Sequence, residues 1–96
     1  MNRFVCHVQL SDGGWGGPVT EIAVEQAVES CTRRDCVLVR LDFLAPDHND
    51  VLLAFEAEFE AEWSHSEVVR DGLIEVLLRH FRPEYESMIE VEVLDD

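Results

Sequence analysis

The chain has 96 residues, of which 47% are hydrophobic, and its 21 Asp and Glu against seven Arg and no Lys give a net charge of -14 at pH 7. This length predicts a single domain over residues 1–96, and the hydrophobic content is that of a folded rather than a disordered chain. The charge argues against direct binding to a nucleic acid or an anionic membrane, because phosphates are bound by neutralising them with basic side chains.

The N-terminus and the cysteines indicate the compartment. Arg3 interrupts an apolar stretch that is too short for a signal peptide, and Cys6, Cys31 and Cys36 are an odd number. The apolar runs are far shorter than the ~20 residues that span a bilayer. We therefore expect a soluble protein of the reducing cytoplasm.

The first third of the chain predicts a strand and a helix. Residues 4–10 alternate apolar and polar side chains, which is the period-2 pattern of a half-buried strand, β1. Residues 11–18 break regular structure, and Pro18 suits the first turn of a helix, α1, over residues 19–32. The helical spacing gives α1 a buried stripe of Val24, Ala27, Val28 and Cys31.

A second strand follows. Residues 36–44 alternate again and predict β2, and the cluster of turn-forming residues at 46–50 ends it. One side of the alternation consists of Val37, Val39, Leu41 and Phe43.

Residues 51–63, with the sequence VLLAFEAEFEAEW, fit two different periods. With period 2, one side of a strand carries Glu56, Glu58, Glu60 and Glu62. With period 3.6, a helical stripe consists of Leu52, Phe55, Phe59 and Trp63. Ala and Glu also favour helices and are depleted in strands.

Two details favour the strand. A helix would place Glu56 against Glu60 at i, i+4 with no Lys to relieve the repulsion. Ser64 and Glu67 have the S-x-x-E spacing of a capping box, which indicates that a new helix begins there. We therefore predict strand β3 over residues 51–63.

The last third of the chain completes the pattern. A helix, α2, is predicted over residues 65–81 and is ended by Pro83, and a final strand, β4, over residues 89–93. The order β-α-β-β-α-β predicts a ferredoxin-like α+β fold, the split βαβ arrangement with a four-stranded antiparallel sheet and both helices on one face. That fold serves many functions, so function must be argued from side chains.

The glutamates of the predicted strands are the most distinctive feature. Side chains at i and i+2 of a strand lie on one face about 6.6 to 6.8 Å apart, so they form carboxylate rows on the face without helices. These rows consist of Glu56, Glu58, Glu60 and Glu62 in β3 and of Glu90 and Glu92 in β4. Two such rows approach the charge density of nucleic-acid phosphates. Alternatively Arg3, His7 and Arg40, predicted on the same face, pair with the glutamates.

Other residues give weaker signals. The Gly-rich residues 13–17 lack the spacing and the basic residue of a phosphate-binding loop, and Trp15 within them is either tucked against the domain or offered to a partner as an aromatic anchor. The histidines and cysteines lack the spacing of a zinc site, and no Cys or Ser has the neighbours of a catalytic nucleophile. We predict no catalytic residue, no metal and no cofactor.

These patterns favour a non-enzymatic inhibitor that docks its carboxylate-rich face on a basic protein, such as a nucleic-acid-binding or nuclease protein that it blocks by imitating phosphate charge. In size and charge the chain resembles anti-CRISPR proteins and bacterial immunity proteins. The expected partner-binding residues are Glu56, Glu58, Glu60, Glu62, Glu90, Glu92 and Trp15.

Two alternatives remain. One is a small-molecule-binding or catalytic ferredoxin-like dimer, paired through its sheet, with a pocket lined by His7 and Arg40. The other is an assembly component whose acidity only keeps it in solution.

Overall fold

Four strands and two helices follow one another in the predicted order. The computed structural model describes residues 2–31, 35–46 and 48–94; residue 32, at the end of the predicted α1, and residue 47, in the predicted turn, lie outside them. The elements are β1 (Asn2–Ser11), α1 (Glu21–Glu29), β2 (Cys36–Leu44), β3 (Val51–Ala61), α2 (Ser66–Phe81), a 3-10 turn (Glu86–Met88) and β4 (Ile89–Leu94). All neighbouring strands are antiparallel in the order β2-β3-β1-β4, which confirms the ferredoxin-like α+β fold.

The ambiguous stretch is a strand. β3 pairs with β1 on one side and with β2 on the other, so it is interior to the sheet. Its core side is fully or almost fully buried and consists of Phe55, Ala57, Phe59 and Ala61. Pairing on both sides explains why Ala and Glu, weak strand formers alone, hold this conformation, since cross-strand neighbours stabilise a strand more than intrinsic preference does.

Both helices pack on one side of the sheet. α1 contacts α2 and β2, while α2 contacts β1 and β4. The buried side chains of the helices are Val24, Ala27, Val28, Val69, Leu73, Val76, Leu77 and Phe81. They meet the core sides of the strands, and no polar or charged side chain of the described residues is buried. Burying each large apolar side chain contributes about 1.5 to 3 kcal/mol.

β2 contains a β-bulge that the sequence pattern does not reveal. Leu38 pairs with Phe59 and Arg40 with Glu58, so Val39 is an extra residue. A bulge shifts the alternation of side chains by one position. Leu41 therefore shares the core side with Leu38, while Val39 is 46% exposed. The prediction that Val37, Val39, Leu41 and Phe43 form one side of β2 is wrong for the first two.

The helix starts also differ from the prediction. α1 is shorter than predicted; its N-cap is Thr20, whose Oγ1 accepts a hydrogen bond of 3.1 Å from the Ala23 N–H. α2 has His65 as its N-cap and no side-chain capping bond, so the capping box predicted for Ser64 and Glu67 does not form. The helix begins one residue later than the S-x-x-E spacing requires, which puts Ser64 before the cap.

None of the described helices is long and apolar enough to cross a lipid bilayer.

Candidate functional site

The surface of the sheet opposite the helices, here called the open face, carries most of the predicted site. Residues directly opposite each other in antiparallel strands share a face. Arg3 lies opposite Glu60 and His7 opposite Glu56, with Glu92 on the other side of His7. β1 therefore runs between the two predicted carboxylate rows, and no helix covers this surface in the described part of the chain.

The β3 glutamates are engaged in ion pairs with the strands on either side. The Arg3 guanidinium donates to Glu60 Oε1 at 3.0 Å and lies 3.6 Å from Glu58 Oε2. The Arg40 Nη2 lies 3.8 Å from both Glu58 Oε1 and Glu56 Oε2. These are the pairs that the second interpretation of the row expected.

Glu58 is at the centre of this network. It contacts a guanidinium from each neighbouring strand, and its side chain is only 16% exposed, against 28% for Glu60 and 29% for Glu56. His7 Nδ1 lies 3.7 Å from Glu56 Oε1, a contact that becomes an ion pair when the imidazole is protonated. The middle of the row is thus largely neutralised.

Asp42 belongs to this face and was missed in the sequence. It pairs with Arg40, two residues earlier on the same strand. The hydrogen bond to Asp42, followed by the charges of Asp42, Glu58 and Glu56, raises the pKa of Arg40 above its ordinary value. The signal was present as opposite charges at i and i+2 of a predicted strand, a spacing that puts two side chains on one face.

Glu62 lies one residue beyond β3, so the prediction of a strand over residues 51–63 is two residues too long. β3 ends at Ala61, and the Glu62 N–H donates to the Asp35 carbonyl oxygen at 3.1 Å. Just after this residue, Trp63 stacks on Phe4 with ring centroids 5.9 Å apart and donates from Nε1 to Asp35 Oδ2 at 3.2 Å.

The β4 glutamates form a second row. Glu90 lies opposite Gln9 and Glu92 opposite His7, so both are on the open face, and both are exposed. Neither makes an ion pair within residues 2–31, 35–46 and 48–94. With Val91, these four residues line a depression of about 340 Å³. The depression does not include Arg40, so it differs from the pocket that the small-molecule alternative requires.

The open face keeps an excess of negative charge. Its described charged side chains are Arg3, Arg40, Asp42, Glu56, Glu58, Glu60, Glu90 and Glu92. Six carboxylates against two guanidiniums leave an excess of four negative charges when His7 is neutral. Half of this excess lies on β4, whose two carboxylates make no ion pair among the described residues. The other half lies on β2 and β3, where four carboxylates are opposed by Arg3 and Arg40.

Trp15 is tucked against the domain, the first of its two alternatives. Its Nε1 donates to the Ser11 carbonyl oxygen at 3.0 Å, and its ring meets Phe81 edge-on with centroids 6.2 Å apart. The Gly16 N–H donates to the carbonyl oxygens of Phe81 and Arg82. The loop after β1 is thereby fixed to the end of α2, away from the carboxylate rows.

A small apolar cavity lies between the helices and the start of β2. Its volume is about 110 Å³, and its lining includes Cys31, Cys36, Phe59 and Trp63. Ligand pockets usually measure roughly 300 to 1,000 Å³, so this space is small for one. The thiol of Cys6 is buried in the core, and this burial, with smaller effects of Cys36 and Cys31, raises the pKa of Cys6 to about 12.

No group of three or more His, Cys, Asp or Glu side chains suited to a metal ion occurs within the described ranges.

No protein-family model matches the sequence, and no curated protein matches it. Among solved structures, the chain is similar to an amidase of the hydantoinase/carbamoylase family from Burkholderia multivorans, with a TM-score of 0.45 and 11% identity over 97% of this chain. The chain covers 27% of that protein. A likeness of this size carries no argument about function.

Proposed function

We propose that the protein is a non-enzymatic binding protein that docks the open face of its sheet on a basic partner. The observation that supports this best is the excess of four negative charges on a sheet surface that neither described helix covers. The partner is a nucleic-acid-binding protein or a nuclease, and the carboxylates occupy the surface that it uses for phosphates. Anti-CRISPR and immunity proteins, which the chain resembles in size and charge, are the corresponding classes of inhibitor.

The spacing of the two rows supports a phosphate-like surface. β3 and β4 are separated by β1 alone, and neighbouring strands lie about 4.8 Å apart, so the rows are about 10 Å apart. The major groove of B-DNA is about 12 Å wide, with phosphates on both sides. A cleft that accepts two phosphate strands meets two rows of carboxylates at a similar separation.

Arg3 and Arg40 give the β3 row a fixed geometry. Each exposed ion pair is worth about 0.2 to 1 kcal/mol, and together the pairs hold three glutamates in defined rotamers. Side chains ordered before docking lose less conformational entropy on binding. Glu90 and Glu92 carry the other half of the excess charge and make no ion pair among the described residues, so their charges are the ones to remove in a test.

The test removes the β4 charges and compares the loss with a matched control. The double variant Glu90→Gln/Glu92→Gln changes the open face, while Glu25→Gln/Glu29→Gln removes two exposed charges from α1. Immobilised protein is exposed to a lysate at low salt, and bound proteins are eluted by salt or by a short duplex DNA. With about 0.2 to 1 kcal/mol per exposed charge contact, the β4 variant should bind the eluted partner roughly 2- to 30-fold more weakly.

The expected partners are nucleic-acid-binding proteins that duplex DNA displaces. Equal weakening of binding by both double variants would show that the partner responds to the net charge of the chain and not to the open face. Partners that duplex DNA fails to displace, or no salt-sensitive capture at all, would also contradict the proposal.

A further inference from the structure

β2 is an edge strand of unusual composition. Its nine residues, CVLVRLDFL, are seven apolar residues and one opposite-charge pair. One side of β2 pairs with β3, and among the described strands nothing pairs with the other side. Long apolar edge strands attract further strands, because their outward N–H and C=O groups are unpaired.

The side chains of β2 are also incompletely covered. Val37 is 38% exposed and Val39 46% exposed, while Leu38, Leu41 and Phe43 are half-buried although they pack against the core. The interior strand β3 shows what full coverage looks like, since its Phe55 and Phe59 are at most 1% exposed. The apolar side chains of β2 thus form a surface that is only partly covered and that a further strand would bury.

We propose that β2 is a homodimer interface at which the β2 strand of a second copy pairs antiparallel to it. The two four-stranded sheets then form one continuous sheet of eight strands. A two-fold contact closes on itself, which prevents open-ended growth along the edge. This inference does not depend on the proposed function, because pairing at β2 leaves β4 uncovered.

The charges of β2 select the register. Side chains directly opposite each other in an antiparallel pair share a face and interact. With the two-fold axis at Leu41, Arg40 of each copy faces Asp42 of the other. Axes at Arg40 or at Asp42 would place two like charges opposite each other. Both side chains are accessible, at 39% and 55% exposed.

Arg40 and Asp42 are already paired within one chain, and the dimer extends that pair. Two guanidiniums and two carboxylates would alternate around the two-fold axis on the open face. The bulge at Val39 limits regular pairing to the residues after it, so Phe43 meets the bulged segment of the second copy.

The other edge of the sheet does not suit a second copy. β4 carries Glu90 and Glu92 and no basic residue, so two β4 strands in an antiparallel pair would bring carboxylates together. Charge therefore favours self-pairing at β2 and opposes it at β4.

Sedimentation velocity over a dilution series tests the interface. At about 0.15 M salt the Debye length is about 8 Å, which screens much of the repulsion between two acidic chains. We expect a mass of about 22 kDa, twice the 11.0 kDa of one chain, that falls on dilution. Arg40→Asp and Asp42→Arg should each weaken dimerisation roughly 10- to 100-fold, because each replaces two opposite-charge contacts by two like-charge contacts.

A mixture of the two variants is the decisive measurement. Chains carrying Arg40→Asp have two carboxylates at the contact and chains carrying Asp42→Arg have two guanidiniums, so the mixture should form a heterodimer that neither variant forms with itself. Arg70→Asp, which makes the same charge change at an exposed position of α2, should dimerise like the unchanged chain. Circular dichroism tests whether each variant is folded. A variant that is not folded is replaced by Arg40→Gln or Asp42→Asn, for which a smaller loss of dimerisation is expected.

Three results would overturn the inference. They are a monomer at every concentration, folded charge variants that dimerise as well as the unchanged chain, and a mixture that associates no better than its components.

Discussion

Ala57 lies on the core side of β3 and distinguishes the strand from the helix that its sequence also permits. It is 0% exposed and lies opposite Cys6 and Leu41. In a helix with the stripe of Phe55 and Phe59, at 3.6 residues per turn, Ala57 would lie on the opposite, solvent side. Ala57→Asn should therefore lower the free energy of unfolding strongly if this segment is a strand, and hardly at all if it is a helix.

The magnitude follows from the burial. Asparagine brings an amide into a site where no described polar side chain is buried, and an unpaired buried polar group costs about 1 to 3 kcal/mol. Added atoms in a packed core cost about another 1 to 3 kcal/mol. The total of roughly 2 to 6 kcal/mol is a large part of the about 5 to 15 kcal/mol that stabilises a typical domain.

Urea denaturation measures this loss. The fluorescence of Trp15 and Trp63, both half-buried, reports unfolding. With a slope of about 2 kcal/mol per molar, the midpoint should fall by about 1 to 3 M. Glu58→Gln, one residue away on the open face, is the control and should cost about 1 kcal/mol or less. If Ala57→Asn does not fold even without urea, Ala57→Ser should give a smaller, measurable loss in the free energy of unfolding. If both variants fold and each loses less than about 0.5 kcal/mol, the buried strand is refuted.

Three further changes test the local chemistry. Burial raises the pKa of Cys6 from 9.0 to about 12, so the unfolded chain loses this proton first as pH rises. The free energy of unfolding should fall by about 2 to 3 kcal/mol between about pH 9 and pH 11, and urea titrations of Cys6→Ala should lack that fall. Thr20→Ala should lower the free energy of unfolding by about 0.5 to 2 kcal/mol, while Ser64→Ala, outside the cap of α2, should change it by less than about 0.5 kcal/mol. Arg3→Gln should cost about 0.2 to 1 kcal/mol in low salt, and a loss unchanged in high salt would contradict an electrostatic role.

Much of the fold is determined by local sequence. Alternating side chains set the strands, and apolar residues at helical spacing set the buried stripes of α1 and α2. The capping box failed because it depends on a one-residue choice of helix start, which the packing of the whole helix decides.

The acidic rows also depend partly on local sequence and partly on tertiary contacts. The alternation of Glu56, Glu58 and Glu60 determined that these carboxylates share a face, and that part of the prediction is local. Whether they are free depended on Arg3 and Arg40, which lie on the two strands beside β3.

The rest was decided by tertiary contacts. The bulge at Val39 is a feature of the pairing of β2 with β3, and the contacts of Trp63 with Phe4 and Asp35 join residues far apart in the chain. A sequence period reports which side chains share a face of one element, because that is fixed by backbone geometry. It does not report the partner of that face or the register of the next strand, because residues far apart in the chain choose them by packing and charge.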